Sequence, residues 1–183
     1  MDHKFNIEHI EKLNSPKRLT LIDWVEVLKV LSLPDKPVIA DIGAGTGLFS
    51  RVLLEKLPNS TVYSLDISDD MLEYMNTNLA PSYPKRLTVG KMQESHIPLK
   101  DNSVDLVIMI NIQHELAEPS ELLKDAYRVL KEDAKIFIAD FKVGEHKHAI
   151  SKESIISDLK EAAFSPVEEI IASNELICLI GES

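Results

Sequence analysis

Three glycines spaced two apart, Gly43, Gly45 and Gly47, follow the apolar run Val38–Ile42 and precede Leu48, where helical spacing begins. Glycine admits positive φ and lets a ligand approach the backbone, and a helix start presents unpaired N–H groups. A dinucleotide-binding loop reads G-x-G-x-x-G and sets a diphosphate on those groups. Here the pattern is D-x-G-x-G-x-G, with Asp41 ahead of the first glycine. A carboxylate at that point repels a diphosphate and suits a cationic amino group, such as that of a bound amino acid. Asp66 closes a second apolar run 19 residues after Gly47. That is where a carboxylate accepts hydrogen bonds from ribose hydroxyls.

A second group of polar residues, Asn111-Ile112-Gln113-His114-Glu115, follows the run Val104–Ile110. His114 titrates near neutrality and suits a polar substrate contact or a general base, or else a structural bond to nearby backbone. Glu115 reads as a helix-start or surface charge. His146 and His148 follow the run Ala134–Phe141 and belong to the same rim. With His114 they could line a pocket or hold a divalent metal. No carboxylate-rich or paired-cysteine pattern supports a metal, so none is expected.

These residues need a scaffold that gathers strand ends. Val38–Ile42, Thr61–Asp66, Arg86–Gly90, Val104–Ile110 and Ala134–Phe141 read as strands. Helical spacing lies between them: Leu48, Val52, Leu53 and Leu57; Met71, Leu72 and Met75 towards Leu79; and Leu122, Leu123, Ala126, Val129 and Leu130 after Pro119. Ser68 is expected to cap the second of these helices, with Asp69 and Asp70 in its first turn. Ser151 is expected to cap a last helix through Ala162. Two final strands, Val167–Ala172 and Leu176–Ile180, are joined by Ser173-Asn174 as an antiparallel hairpin. Alternating strands and helices predict an α/β, doubly wound, seven-stranded sheet, mostly parallel with an antiparallel last strand. Right-handed crossovers then bring the strands' carboxyl ends to one rim, where ligands of such sheets bind. Residues 5–33 read as helical, with Trp24, Val27, Leu28 and Leu31 as an apolar stripe. Residues 1–35 are therefore expected to form a helical leader capping a domain over 36–183, one structural unit overall.

The chain has 183 residues, 44% hydrophobic and 27% charged, about one soluble globular domain. A net charge of −10 disfavours nucleic acid as partner or substrate. The one cysteine, Cys178, sits in an apolar run and reads as a small buried hydrophobe. No stretch approaches the ~18 apolar residues of a membrane span. The N-terminus does not look like a signal peptide, so a cytoplasmic location is expected.

Val38–Gly47 resembles the first motif of class I S-adenosylmethionine-dependent methyltransferases. The resemblance continues through Ser64–Leu72, Ile97–Val107 and Tyr127–Lys131, in order and correctly spaced, and covers the chain from about residue 36 onward. Residues 3–33 look like the leader of small UbiE-like members. The resemblance implies a Rossmann-like methyltransferase fold and S-adenosylmethionine (SAM) as cofactor. Asp41 would face the methionine ammonium, directly or through water. Gly43, Ala44, Gly45 and Gly47 would line the methionine portion, Asp66 would bind the ribose, and Ile67 would pack on adenine. Met71, Met92 and Gln93 would complete the adenosine surroundings. Asn111 and Ile112 would lie near the sulfonium. Lys91 stands where the family often has an acidic residue for the adenine amino group; Gln93 or Glu94 could substitute.

SAM is already activated, so an enzyme must mainly align the nucleophile and exclude water. A base is needed only where the nucleophile must lose a proton, and His114 is the candidate. The segment Lys142–Ile150 is too short for a large lid, which favours a small-molecule acceptor handled by a monomer or homodimer. His3, Lys4 and Phe5 could fold over the pocket. The alternatives are a SAM-binding protein that transfers nothing, and methylation of a macromolecule.

Overall fold

The computed structural model describes residues 10–183. The leader is helical, but in three short pieces: α1 (Ile10–Leu13), α2 (Pro16–Leu19) and α3 (Trp24–Leu31). Pro16 takes the first turn of α2, where its missing N–H costs nothing. Asp23 starts α3 by accepting from Val25 N and Glu26 N. The helical reading of 5–33 thus holds in three pieces with non-helical residues between them; residues 5–9, which include Phe5, and also His3 and Lys4, lie outside the described residues.

The sheet follows, with β1 (Val38–Ile42), α4 (Leu48–Lys56), β2 (Thr61–Asp66), α5 (Asp69–Asn78), β3 (Leu87–Lys91), β4 (Val104–Ile110), α6 (Pro119–Val129), β5 (Leu130–Phe141), α7 (Lys152–Glu161), β6 (Val167–Glu169) and β7 (Leu176–Glu182). Strand order is β3-β2-β1-β4-β5-β7-β6, and β7 runs antiparallel to both its neighbours. The chain reverses its direction of winding between β1 and β4, so the crevice of this sheet opens there.

Alternation along the strands splits the core in two. Ile39, Val62, Leu106, Ile108 and Phe137 pack with α4 and with Trp24, Val27 and Leu31 of the leader. Ala40, Ile42, Val107, Met109 and Ile138 pack with α6 and α7 on the other face. The leader is thus part of the main core. Among the described residues, no helix is long and apolar enough to cross a membrane.

Three expectations shift. Strand β5 begins at Leu130 rather than Ala134, with a register irregularity opposite Val104 and Leu106. Leu130 is buried as the helical stripe required, but as a strand residue. The final hairpin is wider than two residues, because β6 stops at Glu169. Beyond it the leader competes for the backbone: Asp23 N donates to Ala172 O at 2.7 Å. Lys142 Nζ also holds the carbonyls of Ser173 and Asn174. Finally, Ser68 is the N-cap residue of α5 but its side chain makes no capping bond; its own N–H donates to Asp66.

Candidate active site

The three glycines do what their spacing implied. Gly43, Gly45 and Gly47 have φ of 69°, 56° and 75°. Gly43 N and Ala44 N both donate to Leu65 O, at 2.9 and 3.0 Å, tying the turn to the end of β2. A Cβ on Gly43 would lie 2.7 Å from Ile112 Cγ2, so the second residue after β4 closes directly over the turn. Beside Gly45 there is open space. Gly43→Ala combines strained φ with that clash and is expected to destabilise the fold by about 1–3 kcal/mol, read as a lower urea midpoint. An unchanged midpoint would contradict the described turn.

Asp66 is held at the lip of this turn. Its Oδ2 accepts from Gly45 N at 2.7 Å and its Oδ1 from Ser68 N at 2.8 Å. Burial pushes its carboxyl pKa up, opposed by these N–H donations and by Lys91. Each oxygen keeps a lone pair beyond its backbone partner. Ile67, the next residue, is 52% exposed, unusual for an isoleucine beside so much buried surface. Met71 and Met92 are buried. Lys91 pairs with Asp69 at 2.6 Å, and Gln93 bridges to His96 through backbone.

Asp41 points to the α4 face of the sheet and is 2% exposed. Ser50 donates to its Oδ2 at 2.6 Å, and Ser50 and Ser64 share a further hydroxyl contact of 2.5 Å. Burial pushes its pKa up to about 7. The folded state therefore holds a proton that the unfolded chain releases near pH 4. Stability from this group falls as pH rises from there through about 7. A cation placed against the carboxyl reverses that penalty.

The rim beyond β4 and β5 holds a histidine–carboxylate pair. Asn111 N donates to Ala139 O at 2.8 Å, which aligns the two strand ends. His114 Nδ1 then lies 2.7 Å from Asp140 Oδ1. Asp140 is fully buried and also accepts from His114 N at 3.2 Å and Phe141 N at 2.7 Å. Surrounded by donors, the carboxylate accepts a hydrogen bond from Nδ1–H of His114, and Nε2 keeps its lone pair. The bond to Asp140 raises the His114 pKa, against burial. Glu115 Oε1 stands 3.8 Å from Nε2. The His146 ring, stacked on Phe141, lies 4.8 Å from the His114 ring, and His148 is 5.8 Å from His146. The three histidines do gather, but among the described residues no group of three ligating side chains could hold a metal ion.

Two more features went unread in the sequence. Both amide atoms of Asn111 and of Gln113 are buried without a hydrogen-bond partner. Such orphans cost about 1–3 kcal/mol each unless a partner satisfies them. Asp140 was also missed, although it is a lone acid at the end of an apolar strand, the same signal that marked Asp66.

The sequence profile of a family described as a methyltransferase domain matches residues 40–138 of this chain, more than half of it. The chain belongs to this family. A SAM-dependent methyltransferase from Aquifex aeolicus, solved as a crystal structure, has a similar fold with a TM-score of 0.87 and 29% identity, covering 98% of this chain and 99% of that one. A malonyl-(acyl-carrier protein) O-methyltransferase from Geobacter sulfurreducens is 28% identical over 109 residues, 60% of this chain and 40% of that protein. A demethylmenaquinone methyltransferase from Chlamydia trachomatis is 31% identical over 122 residues, 66% of this chain and 52% of that protein. The methyltransferase domain described here spans 38–56% of the length of the first such curated relatives. Its sheet, with β7 antiparallel, is the Rossmann-like methyltransferase arrangement.

Proposed function

We propose that this methyltransferase domain binds SAM over the glycine turn and transfers its methyl group to a small-molecule acceptor. The observation that carries the reading is the fixed Asp66 carboxylate, oriented by Gly45 N–H and Ser68 N–H beside the exposed Ile67. That pairing matches a ribose diol followed by an adenine face. Asp41 suits the methionine ammonium, and the bare flank of Gly45 leaves room for the tail. The orphaned Asn111 amide, next to Ile112 over Gly43, fits a polar ligand at the far end of the same groove. Gly43, Ala44 and Gly47 shape the turn, and Met71, Met92 and Gln93 surround the adenosine end.

When bound, SAM supplies a methyl group on a positively charged sulfur that leaves readily. The chain contributes alignment, exclusion of water and a place for a proton. His114 Nε2 takes a proton from the acceptor, and Asp140 holds the ring through Nδ1 and stabilises the charge that results. Phe141 and His146 wall the acceptor side.

The test is incubation of the purified chain with methyl-labelled SAM and a fractionated cell extract. Label in small metabolites supports the proposal. Cofactor binding with no labelled product points to a non-catalytic binder. Label confined to protein or RNA fractions points to a macromolecular acceptor, and a carrier-bound acceptor would appear there as well.

A further inference from the structure

The leader brings one charged side chain, Arg18, close to the glycine turn that follows β1. Pro16 starts α2, which carries Arg18, and Asn14 lies just before it. Asn14 pins the segment there: Thr46 Oγ1 donates to its Oδ1 at 2.8 Å, and its Nδ2 donates to Tyr74 OH at 3.0 Å. Arg18 stands next to this pin, its guanidinium 5.5 Å from the ring centre of Phe49, two residues past Gly47.

Arg18 is poorly partnered for a cation in such a place. Among the described residues its guanidinium donates one hydrogen bond, to Leu13 O at 3.3 Å, and forms no ion pair. A guanidinium has five N–H donors, and a planar carboxylate matches two of them at once. Burial lowers its pKa, while the carboxylates of Asp41 and Glu115 act on it from the ends of β1 and β4. A cation from the leader and an acid from β1 thus lie within electrostatic reach of each other next to the glycine turn. A ligand that satisfies both carries an anion and a cation a few ångströms apart, which is the charge pattern of a free α-amino acid.

We propose that Arg18 is a binding residue for the α-carboxylate of the cofactor's methionine portion, opposite Asp41, so that the leader is part of the cofactor site. This rests on the reading that the turn binds SAM. It extends that reading to a residue outside the methyltransferase-family match, which covers residues 40–138. It also explains why the leader is built into the main core instead of hanging beside it. A strap that carries a cofactor ligand must be held rigidly, and Trp24, Val27 and Leu31 do that a few residues further on.

Calorimetry with two ligands tests it: S-adenosylhomocysteine and its decarboxylated analogue, which keeps the amine. The wild-type chain is expected to prefer S-adenosylhomocysteine by about 10- to 100-fold, the range of a charge-assisted carboxylate contact. In Arg18→Gln that preference is expected to shrink to within about threefold, with the affinity for the analogue little changed. Arg18→Met keeps an unbranched stem on the Phe49 ring and guards against a folding failure of the Gln variant; the same loss is expected. Equal weakening of both ligands, preference kept in the variants, or no preference in the wild type overturns the role of Arg18. Wild-type binding of neither ligand overturns the proposed function itself.

Discussion

Asp66→Ala is expected to weaken S-adenosylhomocysteine binding by about 100-fold or more. Two hydrogen bonds from ribose hydroxyls to an ionised carboxylate are each worth about 1.5–3 kcal/mol, and 1.4 kcal/mol is tenfold in affinity. The same carboxylate holds Gly45 N and Ser68 N, so its loss also loosens the lip of the turn. Asp66→Asn keeps an acceptor and a similar shape, and should fall between Ala and wild type. Titration calorimetry reads both. An Asp66→Ala variant that binds within threefold of wild type would remove the ribose from this position.

His114→Ala is expected to lower the rate of methyl transfer by about 100- to 10,000-fold while leaving cofactor affinity within about threefold. Asp140→Asn should lose rate almost as heavily. Its amide can offer Nδ1 a hydrogen where an acceptor is needed, which favours the wrong tautomer. The pH profile separates a base from a merely structural histidine. A base works only when neutral. The Asp140 bond raises the His114 pKa above its ordinary 6.5, so the rate should fall as pH drops below that raised value. This acid limb should vanish in His114→Ala. Initial rates of label transfer to the acceptor fraction, measured across pH, check both points. A full rate in His114→Ala would mean that alignment alone suffices.

The parts of this site that were legible in the sequence are those set by local chemistry. Gly43, Gly45 and Gly47 sit where a turn needs positive φ, and Asp66 ends an apolar strand, so spacing alone placed them. A doubly wound, mostly parallel sheet with an antiparallel last strand followed from alternating patterns, because parallel strands with short crossovers leave few arrangements. What stayed hidden depends on contacts across the sequence. His114 and Asp140 are 26 residues apart and meet only through the register of β4 on β5, which pairs Ile110 with Ala139. Arg18 lies in α2, a separate short helix that begins at Pro16, and nothing in the sequence showed that it stands over Phe49 beside the glycine turn. The early end of β6 has the same origin. Ile170 and Ala172 looked like strand residues, but Ala172 spends its carbonyl on Asp23 of the leader. Asn111 and Gln113 could not be singled out as orphans from sequence, since lacking a partner is a property of the packed chain.

A crystal structure of the chain grown with S-adenosylhomocysteine tests the central claim most directly. The account predicts both ribose hydroxyls within hydrogen-bond distance of the Asp66 carboxylate, and the homocysteine tail lying along Gly43–Gly45. A ribose bound to other side chains, or a tail directed away from the turn, would contradict it.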